Sequence, residues 1–121
     1  MNEMTKDPHP IRRRDVLKIY NKINQEIYEI GISKHKIEFS ENRLMIFAVH
    51  KRIAALKVMR KNFPELVSYA NTAIFSEFKT KLKEELEQLT GLSINTVLMD
   101  YDATTQQSCT IVYFDVNICE G

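Results

Sequence analysis

The chain has 121 residues, of which 44% are hydrophobic, and its formal net charge is +1. This length and composition predict one globular domain with an ordinary hydrophobic core. The near balance of 17 basic and 16 acidic residues excludes a global field that would recruit nucleic acid or an anionic membrane.

The N-terminal half predicts a basic arm, one helix and one hairpin. Residues 1–14, which include two prolines, are expected to form a flexible arm. Apolar residues then recur at helical spacings of four and three, and Gly31 is expected to end this helix. The repeating residues are Val16, Tyr20, Ile23, Ile27 and Ile30. The segment KHKIEFSENRLMIFAVH places apolar residues on both sides of a polar turn at 40–43, which predicts a β-hairpin.

The C-terminal half predicts two helices and a second hairpin. Asn62 and Glu65 match a capping box with Pro64 in the first turn, so we expect a short helix before Asn62 and a long one over 64–90. Apolar residues step by four along the long helix, and such a stripe drifts around the helix. They are Leu66, Ala70, Ile74, Phe78, Leu82 and Leu86. Gly91 should stop the helix, and LSINTVLMDYD and SCTIVYFDV then predict two strands.

The element order α-ββ-αα-ββ predicts an α+β fold. We expect an antiparallel four-stranded sheet built from the two β-hairpins and packed by the N-terminal helix and the long central helix. This single domain should span residues 15–117, with residues 118–121 as a tail. The expected core consists of Ile23, Ile27, Leu44, Ile46, Ile74, Phe78, Leu82, Val97, Ile111 and Val112.

The stretch VLMDYDATT has the Asp-x-Asp-x-Thr pattern with which the catalytic loop of aspartate-nucleophile phosphatases begins. Only 16 residues follow Thr105, too few to supply the remaining groups of such an enzyme. A calcium loop starting at Asp100 would lack its glycine and its bidentate glutamate. Carboxylates that end a strand often accept hydrogen bonds from the backbone of the next turn. We therefore favour a structural role for Asp100 and Asp102, and a small hydrolase using them is the least favoured alternative.

The three histidines and two cysteines do not predict a metal site. His9, His35 and His50 have no ligand spacing to one another or to a cysteine, so we expect solvated histidines, no metal and no cofactor. Cys109 has no neighbour in the sequence that would lower the pKa of its thiol. We expect Cys109 to act as a small buried hydrophobic residue.

Two basic clusters are the candidate partner-binding residues. They are Arg12, Arg13, Arg14, Lys57, Arg60 and Lys61. The arginines stand at a predicted helix start, where positive charge opposes the helix dipole, and this conflict suggests a use in binding an anion or an acidic partner. The same clusters support an alternative function as a nucleic-acid-binding regulator. Charge runs are more commonly solvated surface, and no aromatic residues interleave with them as in single-strand binders.

The long helix also predicts self-association. Val67 and Phe75 lie off its main apolar stripe, and one sheet can cover only one side of a helix. A self-complementary apolar patch closes most simply as a two-fold dimer. We expect a homodimer with Val67 or Phe75 at the contact.

Residues 63–115 resemble the MpsC-like family of small bacterial proteins, long catalogued as a domain of unknown function. The shared pattern is an amphipathic first helix, a hairpin, a long helix ending in Leu-Thr-Gly at 89–91 and a strand running into Asp100. The resemblance extends over residues 16–115. It implies a link to a membrane system that generates membrane potential and takes up inorganic carbon, and it supplies no catalytic residues. The stretch GISKHK at 31–36 departs from the Gly-Lys-Gly-Pro-like stretch of many members.

These features together predict a non-enzymatic accessory or regulatory protein that acts by binding. The polar N-terminus lacks a signal-peptide pattern, and no apolar run reaches the roughly 20 residues needed to span a bilayer. We therefore expect a cytoplasmic protein with reduced thiols, which reaches the membrane only through a protein partner of the transport system.

Overall fold

The computed structural model describes residues 11–28, 32–51 and 54–119. Its elements in chain order are α1 (Arg13–Tyr28), β1 (His35–Ser40), β2 (Arg43–Val49), α2 (Ala54–Met59), α3 (Pro64–Thr90), β3 (Ile94–Tyr101) and β4 (Gln107–Phe114). The predicted α+β class and the order α-ββ-αα-ββ are confirmed. Residues 1–10 of the expected arm and the expected helix end at Gly31 lie outside the described residues.

The four strands form one antiparallel sheet in the spatial order β1-β2-β4-β3. Each predicted hairpin is present, and the two hairpins join through β2 and β4, where Met45 lies opposite Ile111. The first strand of each hairpin therefore becomes an edge of the sheet. This arrangement leaves β1 and β3 at opposite edges of the sheet. Residues on these two strands therefore lie far apart, which the sequence does not indicate.

Helices α1 and α3 pack against one face of the sheet, which we call the inner face. Side chains alternate between the two faces along a strand, so every second residue of each strand points to the helices. The buried residues shared by the inner face and the two helices are Val16, Tyr20, Ile23, Ile37, Leu44, Ile46, Phe78, Leu82, Leu86, Val112 and Phe114. Removal of these apolar side chains from water is the main force that holds the helices on the sheet.

Most of the expected core is confirmed, with two exceptions on different elements. Ile23, Leu44, Ile46, Phe78, Leu82 and Val112 are buried. Ile27 and Val97 are half-buried and pack against this core. The prediction is wrong for Ile111, because its neighbour Val112 takes the inner face and alternation sends Ile111 to the opposite one. Ile74 is also half-buried but, unlike Ile27 and Val97, it does not belong to the set that packs against this core.

The buried stripe of α3 differs from the predicted one at the start of the helix. Leu66 is exposed, whereas Val67 is only 4% exposed. At about 100° per residue, Val67 lies about 20° from Phe78 around the helix axis, and Leu66 lies about 120° away. The drift of a four-residue step therefore carries Leu66 off the core side. Phe75 is half-buried, with its ring centre 5.8 Å from that of Tyr101.

The ends of α3 confirm one predicted signal and contradict another. Phe63 is the N-cap residue and makes no side-chain capping bond, so the predicted capping box of Asn62 and Glu65 is wrong, although Pro64 does open the helix. Gly91 ends the helix as expected. It takes a left-handed conformation with φ of 71°, and its N–H donates to the carbonyl oxygen of Glu87 at 2.8 Å.

The packed domain extends beyond the predicted limits of 15–117. Ile11 and Ile118 are both buried in the core. The N–H of Ile118 donates to the carbonyl oxygen of Glu41 at 2.8 Å, which ties the C-terminal segment to the turn between β1 and β2. Helix α1 begins at Arg13, inside the segment expected to be an arm.

Candidate functional site

The Asp-x-Asp-x-Thr stretch forms the turn between β3 and β4. The Oδ1 atom of Asp102 accepts hydrogen bonds from the N–H groups of Thr104 at 2.8 Å and Thr105 at 3.0 Å. These bonds, first the one from Thr105, hold the pKa of Asp102 below its ordinary value. Oδ1 of Asp100 accepts from the N–H of Tyr101 at 2.8 Å. Both carboxylates thus bond to backbone groups near the turn, which agrees with the favoured structural role.

His50 lies in the core, where a solvated side chain was expected. It is 3% exposed and stands just after β2. Its Nε2 atom shares a hydrogen bond of 2.7 Å with the hydroxyl of Tyr20 on α1. Rings of Tyr28, Phe78 and Tyr101 surround the imidazole, with centroid distances of 5.8, 5.9 and 6.3 Å. The expectation of a solvated His50 is therefore wrong, whereas His35 is exposed as expected.

Burial makes the His50 cluster resistant to charging. Burial lowers the pKa of His50 to about 4, so its imidazole is neutral at neutral pH. Burial also raises the pKa of Tyr20, although the nearby hydroxyls of Ser108 and Thr110 act in the opposite direction. The cluster is consequently a set of neutral polar groups. It has hydrogen-bonding capacity but no charged group to act as a strong acid or base.

The backbone of the β3–β4 turn holds His50 in place. The N–H of His50 donates to the carbonyl oxygen of Gln106 at 2.9 Å, and the Tyr101 hydroxyl donates to the His50 carbonyl at 3.1 Å. The Nδ1 atom of His50 has no hydrogen-bond partner among the described residues. His50 also lines a cavity of about 10 Å³ beside Phe75, which is enough for about one water molecule. The cavity is too small for a metabolite.

The two predicted basic clusters lie at opposite edges of the sheet. Arg13 packs at the β1 edge, where its Nε donates to the carbonyl oxygen of Ile37 at 2.9 Å and its guanidinium lies 5.2 Å from the ring centre of Phe39. Nε of Arg12 pairs with Asp15 at 3.2 Å. Arg60 lies near the other edge and lines a cleft with residues of β3. The clusters therefore do not form one continuous basic surface for a nucleic acid.

Arg14, Lys57 and Lys61 are exposed, as is Arg60. The last three of these cations lie at the corner between α2 and α3, beside exposed apolar residues. We call these apolar residues the corner patch, and they are Val58, Phe63, Leu66 and Tyr69. Val58 is 78% exposed and Tyr69 is 77% exposed. Large apolar side chains grouped beside cations on a surface are typical of protein-binding sites.

A second apolar surface covers the other face of the sheet, which we call the outer face. It carries the side chains that alternate away from the helices, and none of these belongs to the core cluster. The apolar ones are Met45, Phe47, Val49, Leu98, Cys109, Ile111 and Tyr113. Leu98 is 50% exposed and Phe47 is 37% exposed.

The predicted dimer residues need correction in the light of these surfaces. Val67 is covered by its own chain and is only 4% exposed, so its side chain offers almost no surface to a partner. Phe75 is half-buried against Tyr101. The unpartnered apolar area lies on the outer face and the corner patch instead.

The thiols and possible ligand groups show no convergent chemistry in the ranges that the structure describes. Cys109 and Cys119 are unpaired, half-buried cysteines. Burial raises the pKa of Cys109, which disfavours a reactive thiolate. Within the described ranges, no group of three or more His, Cys, Asp or Glu side chains is placed to hold a metal ion. None of the described helices has an apolar stretch long enough to cross a bilayer.

Comparisons with known proteins returned no relative. No protein-family model, curated protein or solved structure matches this chain. The MpsC-like resemblance therefore stays a prediction.

Sequence reasoning missed both the His50 cluster and the outer face. A polar residue after a strand gives no sign of burial, because the helices that cover His50 come from distant parts of the chain. The outer face did leave a signal. Residues 111–114 form the run IVYF, which is apolar at successive positions, and such a run is typical of a strand covered on both faces.

Proposed function

We propose that this protein is a non-enzymatic accessory or regulatory protein that acts by binding another protein through the corner patch and its flanking cations. The observation that carries the proposal is that Val58, Phe63 and Tyr69 are all exposed on the segment from α2 to the start of α3, which also carries three exposed cations. A partner surface that fits it has an apolar centre and acidic residues around it. The homodimer predicted from the sequence is part of the proposal. Both α1 and α3 pack on the inner face of the sheet, so the apolar residues of the outer face remain available to a second copy.

Binding is favoured over catalysis by what the polar groups do. Asp102, the second carboxylate of the Asp-x-Asp-x-Thr stretch, accepts hydrogen bonds from two backbone N–H groups of its own turn at 2.8 and 3.0 Å. The buried His50 is neutral and adjoins a cavity with room for about one water molecule. A catalytic site needs an acid, base or nucleophile that a substrate can reach. The corner patch, in contrast, is exposed at the surface, where a partner can reach it.

The cellular role that we propose comes from the MpsC-like resemblance. It is a role beside a membrane system for cation-coupled uptake of inorganic carbon, with the protein docked onto a membrane component by the corner patch. Deletion of the gene should reduce bicarbonate-dependent growth and membrane potential. An unchanged phenotype in both measurements would remove the transport link.

Complementation of that deletion tests the surface itself. The double variant Val58→Glu, Tyr69→Glu should fold with an unchanged circular dichroism spectrum and fail to restore growth, because it places two carboxylates in an apolar contact. Gln88→Glu, an exposed change at the other end of α3, is the control and should restore growth. Full complementation by the double variant would exclude the corner patch as the contact.

A further inference from the structure

We propose that the outer face of the sheet is the contact surface of a symmetric homodimer, in which two sheets pack face to face about a two-fold axis parallel to the strands. The inference rests on the homodimer of the proposed function and adds its surface, its axis and its charge pairing. It does not involve the corner patch. The occupant of the outer face is thus a second copy of this chain.

The centre of the outer face fits an apolar partner of the same kind. Phe47 and Met45 on β2 lie beside Cys109 and Ile111 on β4, so the two central strands carry adjoining apolar side chains. Sheets that pack face to face bury such side chains between them at a separation of about 10 Å. A two-fold axis between β2 and β4 brings β2 of each copy over β4 of the other. Phe47 then meets the partner subunit's Cys109.

The strand register places opposite charges at the two edges of one row. Lys36 pairs with Phe47, Phe47 pairs with Cys109 and Cys109 pairs with Asp100, so these four residues cross the sheet at one level. All four belong to the outer set of their strands. The row therefore starts with a cation at the β1 edge, passes through two apolar side chains and ends with a carboxylate at the β3 edge.

The next row repeats this polarity. Val49 donates its N–H to the carbonyl oxygen of Lys34 at 3.0 Å and pairs with Gln107. Gln107 in turn accepts a hydrogen bond from the N–H of Asp102 at 2.9 Å. Lys34 and Asp102 thus stand at the β1 and β3 ends of this row. In these two rows the β1 edge of the outer face is basic and the β3 edge is acidic, with apolar side chains between them. The following row differs, because Glu38 stands at the β1 edge and Leu98 at the β3 edge.

A two-fold axis along the strands turns this polarity into complementarity. The rotation exchanges the two edges and leaves each row at its own level along the strands. Lys36 is therefore brought to the partner subunit's Asp100, and the symmetry repeats this pair on the other side. Isologous contacts of this type are the commonest in homo-oligomers, and complementary charges set the orientation of a contact more than its strength.

The alternative axis, perpendicular to the strands, gives fewer such pairs. It keeps each edge on its own side and reverses the order of the rows. With the axis through the row of Glu38, Lys36 would meet the partner subunit's Ser40, and Asp100 would meet the partner subunit's Thr96. With the axis between the rows of Lys36 and Glu38, Lys36 would meet the partner subunit's Glu38, but Asp100 would meet the partner subunit's Leu98 and stay unpaired. The charges in the register thus select one of the two ways in which the apolar centres can face each other.

The charged groups at both edges already have neighbours, and these allow the pairing. Lys36 contacts Glu38 at 3.0 Å in a pair whose side chains are largely exposed, and such pairs contribute little. Lys79 lines a groove along the β3 edge together with Asp100. Lys36 and Asp100, the two groups of the proposed pair, are both exposed, so each can reach a second copy.

The size of the outer face sets the strength to expect. Four strands about 4.8 Å apart and about 3.3 Å per residue give a face roughly 20 Å wide, and the seven residues of β2 make it roughly 23 Å long. Two such faces together have a footprint of roughly 900 Å², which is below the about 1,200–2,000 Å² of standard specific interfaces and is typical of weak contacts. We therefore expect dimerisation at micromolar concentration.

The first experiment asks whether the outer face forms the contact. Light scattering behind a sizing column should give about twice the 14.2 kDa chain mass for the unaltered protein at tens of micromolar. Phe47→Asp should give the monomer mass with an unchanged circular dichroism spectrum, and Tyr69→Asp, the control in the corner patch, should remain dimeric. A Phe47→Asp protein that stays dimeric would overturn the outer face as the contact surface, although the protein would still be a homodimer. A monomeric unaltered protein would overturn both.

The second experiment tests the axis through a charge exchange. Lys36→Asp and Asp100→Lys should each weaken dimerisation by about tenfold, because each places like charges together at both symmetric sites. The double variant restores opposite charges and should return to within about threefold of the unaltered protein. Lys83→Asp, an exposed change of the same charge on α3, should have no effect. Additive weakening in the double variant would contradict the axis along the strands.

Discussion

The two faces of the sheet each carry exceptions to the usual rule that apolar residues are buried and polar residues are exposed. The inner face, under α1 and α3, contains a buried polar cluster of Tyr20, His50, Ser108 and Thr110. The outer face, away from these helices, carries apolar side chains at its centre, such as Phe47 and Ile111. Buried polar groups cost free energy unless they are hydrogen-bonded, and exposed apolar groups at the centre of a sheet favour association. Each face thus carries residues that its own chain does not need for packing alone.

The stability of one chain and its association with a second chain should therefore depend on different faces of the sheet. Changes on the inner face should act on the unfolding of a single chain. Changes on the outer face should act on the association of two chains and leave the unfolding of one chain almost unaltered. The following predictions separate these effects, beginning with the largest.

Phe78→Ala should produce the largest loss of stability. Phe78 is fully buried and its ring contacts those of Tyr20 and His50, at 5.0 and 5.9 Å. Truncation of a buried Phe leaves a cavity and costs about 3–5 kcal/mol of unfolding free energy. Urea unfolding followed by circular dichroism measures it. Phe63→Ala, which changes an exposed ring, is the control and should cost less than about 0.5 kcal/mol.

The pH dependence of unfolding should report His50. Its pKa is about 4 in the folded protein and 6.5 ordinarily, so the unfolded chain takes up a proton first as the pH falls. Stability from the neutral imidazole is complete above pH 6.5, decreases as the pH falls towards 4, and levels off below that value. The total loss should be about 3 kcal/mol, from roughly 1.4 kcal/mol per pKa unit.

Two variants isolate this contribution. His50→Gln should flatten the unfolding free energy between pH 6.5 and 4, and His35→Gln, an exposed change, should leave the curve unaltered. The pKa of Asp102 is lowered from its ordinary value of 3.8, so the stability that its carboxylate contributes is lost only as the pH falls below that value. This effect therefore lies outside the window of His50. An unchanged slope in His50→Gln would mean that His50 is not neutral and buried in solution.

Tyr20→Phe tests the hydrogen bond inside the inner face. The substitution removes the hydroxyl that lies 2.7 Å from Nε2 of His50 and leaves that nitrogen without this partner. An unsatisfied buried group costs about 1–3 kcal/mol. Thermal unfolding should therefore show a clear decrease in melting temperature. Tyr113→Phe on the outer face is the matched control, and an equal decrease in both variants would contradict a special role for the buried pair.

Leu98→Ser should have the smallest effect on a single chain. Leu98 is half exposed on the outer face of the β3 edge, so its change should alter the unfolding free energy of the monomer by less than about 0.5 kcal/mol. A dimer melts at a temperature that rises with protein concentration. This rise should be present in the unaltered protein and weaker in Leu98→Ser. A concentration-independent melting temperature in the unaltered protein would contradict the comparison of the two faces.

The fold was predictable to a greater extent than the functional surfaces, for a physical reason. Periodicity, Pro64 and Gly91 are local signals, and they correctly located the helices and hairpins. Burial of His50 and exposure of Leu66 depend on which elements meet in three dimensions and on the exact phase of a helix. The order β1-β2-β4-β3 decides which charges share an edge, and strand order is a property of the assembled sheet.

The pairing of β2 with β4 also has a consequence for the way in which the chain folds. Each hairpin can form from neighbouring residues, but the sheet is complete only when residues 45 and 111 meet, with both α2 and α3 lying between them in the chain. Closing so long a loop costs entropy before the central contacts compensate for it. Folding should therefore be limited by the docking of two preformed hairpins, at the millisecond to second rates of proteins rich in non-local contacts. Amide exchange during refolding would show protection within each hairpin before protection between β2 and β4.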